Sequence, residues 1–317
     1  MGIGKIERKI KAKTQLTKCN LQNNTIIKAH SNYITSISNF PNGNFISLSW
    51  DTSIKIFDKL YRTIQHIEQA HNDWVRSIAI ENDNFFITCS LDRTIKSWIK
   101  TGNIFILYQT INNAHDSDIN KIILSSNGYL LSCSDDKKIK IWEKKENNKY
   151  ILVNYLEHSD KVYSLLLFED KNRLISSGHY QMKFWDFNIN NLKINFRKNL
   201  NGTYCECRNA LNRIDEDKVI IGGKDQKSLK IISVLKEKIL YTISIPFQCL
   251  GIRTIYDKGV FLVGGYGKDL LIFRSDNFKM IQKVKNAHEK YIEGITELAS
   301  GKIATHGWDN NIKIWSF

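Results

Sequence analysis

The sequence predicts an all-β fold: a seven-bladed β-propeller of four-stranded antiparallel blades, with an N-terminal strand closing the last blade. Three observations predict it. A histidine-to-aromatic spacing recurs, since His30 to Phe57, His71 to Trp98, His115 to Trp142, His158 to Trp185 and His288 to Trp315 each span 27 residues. Seven units end at Phe57, Trp98, Trp142, Trp185, Ile232, Phe273 and Trp315, so the period runs from 41 to 47 residues, that of a four-stranded blade. Between these marks, short alternating apolar segments are separated by turn residues, and no long stretch has a 3.6-residue period.

The first unit shows how each strand is specified. Ile34 to Ser38 alternates apolar and polar residues, and Pro41-Asn42-Gly43 is a turn signal. Phe45 to Ser49 alternates again, Asp51-Thr52-Ser53 turns the chain, and Ile54 to Phe57 forms a third strand. Arg62 to Ile67 supplies the fourth before the next Ala-His pair. The units ending at Ile232 and Phe273 keep the strand pattern but lack the histidine. The seventh unit stops at its third strand, Ile312 to Phe317, and residues 21–28 (LQNNTIIK) read as the missing fourth. Pairing both ends in one blade leaves the ring no open edge.

Bulk properties bound the rest. At 317 residues, 42% hydrophobic and 25% charged, the chain can bury a substantial core. It divides into a basic tail, residues 1–20, and the propeller, residues 21–317. In the tail Lys5, Arg8, Lys9, Lys11, Lys13 and Lys18 stand against Glu7 alone. No run approaches the ~18–20 apolar residues that span a bilayer, and no apolar leader starts the chain. The six cysteines have no zinc spacing and read as free buried thiols in a reducing compartment, the cytoplasm, with the nucleus as the alternative. The net charge of +14 permits an anionic partner, although Lys, Asn and Ile are abundant throughout, as AT-rich coding produces.

Three segments carry a family resemblance: AHNDWVRSIAI…TCSLDRTIKSW (70–98), AHDSDINKIIL…SCSDDKKIKIW (114–142) and AHEKYIEGITEL…THGWDNNIKIW (287–315). They resemble the WD-repeat family of β-propellers, over about residues 21–317. The family's Gly-His is Ala-His here, and its closing Trp-Asp survives as Trp185-Asp186. The resemblance implies a buried hydrogen-bond network of histidine, hydroxyl, turn aspartate and strand tryptophan in each intact unit. By position the full sets are His71/Ser90/Asp92/Trp98 and His115/Ser134/Asp136/Trp142. Blade one has Phe57 for Trp, blade four has His179 for Asp, and blade seven has Gly307 where the serine is expected.

The segment Ser49-Trp50-Asp51, with His30 upstream, has the residue types of a nucleophilic triad. Its recurrence around the ring argues for a structural unit instead. No metal cluster, nucleophile elbow or phosphate-cradling loop is present, and Gly264-Gly265-Tyr266-Gly267 reads as a blade turn. The sequence therefore predicts no catalytic, metal or cofactor site.

Resembling propellers bind partners on the face around the channel entrance, lined three and five residues after the histidine and one before the turn aspartate. Carried over, these positions give Tyr33, Thr35 and Trp50; Trp74, Arg76 and Leu91; Asp118, Asn120 and Asp135; Lys161, Tyr163 and Gly178; and Tyr291, Glu293 and Trp308. Tyr33, Trp50, Trp74, Arg76, Tyr291 and Trp308 are the expected partner-binding residues, because aromatics and arginine dominate binding hot spots. Asp118 and Asp135 make the opposite sector acidic, suiting an apolar or cationic anchor. The expected function is a non-enzymatic scaffold binding a protein or peptide, a monomer within a larger complex. The alternative is contact with RNA or the ribosome through the basic surface.

Overall fold

The computed structural model describes residues 21–188, 191–203, 206–223 and 227–317. The basic tail, Cys19 and Cys205 lie outside them. Among the described residues twenty-eight strands form seven four-stranded antiparallel sheets, each built from four consecutive strands except the last. Blade one comprises Ile34–Asn39, Phe45–Ser49, Ile54–Phe57 and Thr63–Ile67, as the residue pattern predicts. The last sheet joins Ile292–Glu297, Ile303–Gly307 and Asn311–Ser316 to the N-terminal strand Gln22–Lys28. That strand runs antiparallel along Asn311–Ser316, from Gln22 opposite Ser316 to Lys28 opposite Asn311. The ring is thus closed by the chain's own first strand.

Burial follows strand order. The first strand of each blade packs against the first strand of the next, and blade seven's meets blade one's. Second strands are buried, completely so in Phe45–Ser49 and Phe85–Ser90. Fourth strands face outward, and Tyr150–Glu157 is largely exposed. The core lies between blades rather than within them. Phe40, Ile46, Leu48, Ile54 and Ile56 of blade one pack with Ala70, Val75, Ile78, Phe86 and Trp98 of blade two. Each interface therefore needs both neighbours, which makes an open ring unfavourable. Side-chain amides tie the rims together: Gln65 donates to Phe105 O and accepts from Phe105 N, both at 2.8 Å, and Gln109 treats Tyr150 the same way.

A shared irregularity positions the functional face. The first strands of six blades carry a β-bulge one residue in. The register passes over Thr35, Arg76, Asn120, Tyr163, Leu250 and Glu293. A bulge re-aims its extra residue. Here Thr35 donates to Val75 O at 2.6 Å and Asn120 to Val162 O at 3.0 Å, both across to the next blade.

Candidate partner-binding face

The histidine network is built in four blades, with a different hydroxyl from the one expected. In blade two His71 Nδ1–H donates to Asp92 (2.9 Å), Thr88 Oγ1 bonds His71 Nε2 (2.8 Å), and Trp98 Nε1–H donates to Thr88 Oγ1 (2.9 Å). Blade three repeats this with His115, Asp136, Ser132 and Trp142, and blade seven with His288, Asp309, Thr305 and Trp315. Blade one has His30, Asp51 and Ser47, with Phe57 in place of the indole. The linking hydroxyl stands 17 residues after the histidine. Ser90 and Ser134 are not members. They accept from the amides of Asp92 and Asp136 and donate to Asp73 O and Ser117 O, so they pin the turn. Gly307 therefore deprives blade seven of a turn cap only, and its histidine network is complete.

The same geometry disposes of a triad. His30 bonds buried Ser47, while Ser49 bonds Asn32 O and the Asp51 amide. The relay Trp N–H to hydroxyl to imidazole to carboxylate satisfies every member with a neutral imidazole. Burial holds His30, His71 and His115 below the ordinary histidine pKa despite their aspartates. Burial would raise the Asp136 and Asp309 carboxyls, but hydrogen bonds from His115 and His288 and from backbone amides hold each at about 2. Ser132→Ala is expected to destabilise the protein by about 2–4 kcal/mol, since it orphans both His115 Nε2 and Trp142 Nε1. Ser134→Ala, which loses a turn cap, is expected to cost about 1 kcal/mol. Urea unfolding of the two variants measures the difference.

Blade four departs from this pattern. Ser176 stands 18 residues after His158 and bonds Trp185 Nε1 at 2.9 Å, leaving His158 Nε2 buried without a partner. The 27-residue spacing survives there because an extra residue before Ser176 is matched by one fewer in the turn after it. His179, at the aspartate position, pairs instead with Glu206.

The six expected binding residues meet on one face. Backbone bonds from Trp50 N to Tyr33 O (2.9 Å), Leu91 N to Trp74 O (3.2 Å) and Trp308 N to Tyr291 O (3.0 Å) hold each turn residue beside the start of its blade's first strand. Trp50 and Trp74 stack at 3.5 Å between centroids, with planes 5° apart. Tyr33 stacks on Trp308 at 4.7 Å and tilts against Trp50 at 4.8 Å. Tyr291 meets Trp308 at 5.0 Å. The Arg76 guanidinium lies over the Trp74 and Trp50 rings at 4.9 and 5.6 Å. All six are half-buried, so their rings are held in place yet reachable.

Blade six adds a member that the spacing did not reveal. Tyr266 N bonds Gln248 O, the same contact that holds Trp50 and Trp308, and its ring meets Tyr291 at 4.7 Å and Trp308 at 6.0 Å. The lost histidine removed the reference point from which Tyr266 would have been placed. The surrounding glycines serve packing: a Cβ on Gly265 would lie 2.0 Å from Gln248 O, and one on Gly264 2.5 Å from Ile292 Cγ2.

The channel is crossed by blade five. Arg208 O accepts from Lys121 Nζ (3.0 Å) and Ser164 Oγ (2.9 Å), and Asn209 Nδ2 donates to Thr35 O (3.1 Å) and bridges Gly251 through its backbone. Residues 208 and 209 thus touch blades one, three, four and six and occupy the axis. Arg208 pairs there with Glu293 at 3.3 Å, and Trp308 Nε1 donates to the other Glu293 oxygen at 2.9 Å. The acidic sector is less open than its sequence implied. Asp135 is held by Asn120 (2.7 Å) and Lys161 (2.6 Å), which leaves Asp118 as the sector's carboxylate without an ion pair among the described residues. No group of three or more metal-ligating side chains occurs among the described residues.

Seven closed blades, four of them pinned by one repeated buried network and together presenting an aromatic face, define a β-propeller. The family model for WD domain, G-beta repeat matches residues 21–58, 62–98 and 107–143. The first of these matches begins with the closing strand, which in space belongs to blade seven. Over 75 residues (23% of its length) the chain is 33% identical to Lissencephaly-1 homolog 1 of Paramecium tetraurelia, covering 18% of that protein. Over 72 residues (22%) it is 35% identical to Mitochondrial division protein 1 of Schizosaccharomyces pombe, covering 11% of it. Its fold is similar to the WD40 β-propeller domain of Doa1, with a TM-score of 0.74 and 18% identity over 94% of this chain and 97% of that one. WD-repeat propellers generally mediate protein–protein interactions, and no described helix is long and apolar enough to cross a membrane.

Proposed function

We propose that the chain is a non-enzymatic interaction scaffold that takes a protein or peptide segment across the aromatic sector of blades six, seven, one and two. The continuous contact of Tyr266, Tyr291, Trp308, Tyr33, Trp50, Trp74 and Arg76 carries the reading. Packing alone does not require a half-buried ring cluster outside the inter-blade core, and aromatic stacks of this kind form the desolvated anchors of protein interfaces. Cys89 and Cys133 are free and buried, which fits a reducing compartment, and we place the scaffold in the cytoplasm as a monomer within a larger assembly.

The test is the variant Trp50→Ala/Trp74→Ala/Trp308→Ala, compared with the parent by quantitative affinity capture. Captured proteins should fall at least about tenfold, as loss of hot-spot residues requires. Circular dichroism should show the propeller spectrum retained. Undiminished capture by a folded variant would defeat the proposal. The alternative, binding of RNA through the net charge of +14, predicts co-sedimentation with RNA that disappears steeply with salt.

A further inference from the structure

The mouth of the ring holds a guanidinium without an ion pair. The one carboxylate that an arginine contacts there, Glu293, has both oxygens taken, one by Arg208 and one by Trp308. Arg76 has no ion pair among the described residues, and its buried Nε has no hydrogen-bond acceptor. The Arg208 Nε is buried and unpartnered as well. The other nearby carboxylates do not meet the need: Asp135 is bound by Lys161 and Asn120, and Asp118 makes no ion pair with Arg76. A desolvated guanidinium without an acceptor is costly. Burial and the neighbouring Arg208 push the Arg76 pKa down to about 9, against the opposing pull of Glu293 and Asp118, so the cation survives at neutral pH. Its position over Trp74 and Trp50 spares a ligand much of the cost of ordering it.

We propose that the segment bound on this face carries an aspartate or glutamate whose carboxylate docks on Arg76, with an adjacent apolar side chain seated on the Trp50–Trp74 stack. The proposal rests on the peptide-binding reading above and supplies its chemistry. Contact geometry favours it: Arg208 and Trp308 occupy both Glu293 oxygens, and Asp118 attracts Arg76 without forming an ion pair with it, so a ligand carboxylate supplies the acceptor that the guanidinium lacks. A cationic anchor would instead enter against Arg76 and Arg208. A carboxylate can accept two parallel bonds from a guanidinium, geometry that a carboxamide does not reproduce.

The experiment pans a phage-displayed random dodecapeptide library on the full chain, on Arg76→Gln and Arg76→Met, and on the triple tryptophan variant. The parent should enrich peptides with Asp or Glu beside a large apolar residue. Resynthesised peptides should bind Arg76→Gln at least about tenfold more weakly. Changing the peptide's acid to its amide should cost the parent as much and the Arg76→Gln protein nothing further, the signature of a direct pair. Both Arg76 variants should keep or raise the melting temperature, since they remove an unsatisfied buried cation. Apolar peptides without acid enrichment would overturn this proposal and leave the binding face standing, whereas no enrichment on the parent would remove both. Acidic peptides that bind Arg76→Gln equally, peptides that require a free C-terminal carboxylate, or Arg76-dependent binding of a 20-nucleotide oligouridylate in place of peptide would each overturn it.

Discussion

A chain beginning at residue 29 is expected to melt at least about 10 °C below one beginning at residue 21. The estimate combines the loss of the ladder from Gln22 to Lys28, at about 0.5–1 kcal/mol per hydrogen bond, with about 2 kcal/mol for buried Leu21. A total near 5 kcal/mol corresponds to roughly 2–4 °C per kcal/mol in a chain of this size. The truncated ring would also expose Asn311–Ser316 as an unpaired edge, inviting self-association. Calorimetry and light scattering measure both effects. Equal melting temperatures for the two chains would show that the closing strand contributes nothing, contrary to its pairing.

Stability should also fall steeply in mild acid. Burial lowers the pKa of His158 and of His306 to about 4. Their unfolded value is about 6.5, so between pH 6.5 and 4 the unfolded chain binds protons that the folded chain refuses. A group depressed in the fold that is neutral when deprotonated weakens the fold as pH falls through the unfolded pKa. Each of these two costs roughly 3 kcal/mol by pH 4, and His30, His71 and His115 act in the same direction. The carboxylates act lower. Asp136 and Asp309, at about 2 in the fold, add stability that is fully present above the unfolded aspartate value and is lost as pH drops toward 2. Urea unfolding at pH 7.5, 6, 5 and 4 should therefore show a falling midpoint from pH 6.5 downward, with a loss near 6 kcal/mol or more, comparable to the whole stability of many domains. His306→Gln should flatten that slope. An unchanged midpoint between pH 7.5 and 5 would contradict it.

How legible the molecule was depended on the register of its repeats. His71, Asp92 and Trp98 could be placed because neighbouring blades repeat them at fixed intervals. The hydroxyl column Ser47, Thr88, Ser132 and Thr305 was equally periodic, but Ser90 and Ser134, nearer the aspartate, drew the assignment. The two candidates in each blade are two residues apart in one strand and share a face, so alternation does not separate them, and only how far along the strand the imidazole reaches decides which one it meets. Blades five and six lack the histidine, so Tyr266 and Arg208 had no marker. In blade four the marker misled, because two compensating shifts preserved the 27-residue spacing while moving Ser176 out of reach of His158.

The sequence alone determined the number of blades, the strands within them, the closing role of residues 21–28 and the six residues gathered on one face. Each follows from local rules, period and alternation, that a repeat states several times over. Only the tertiary structure decided that Arg208 and Asn209 cross the axis, that Glu293 is spent on Arg208 and Trp308, and that Arg76 is left unpaired. The Asn209–Glu293, Arg208–Glu293 and Asn209–Thr35 contacts join residues 84, 85 and 174 positions apart, created when the ring closes, and no local pattern encodes which groups meet there.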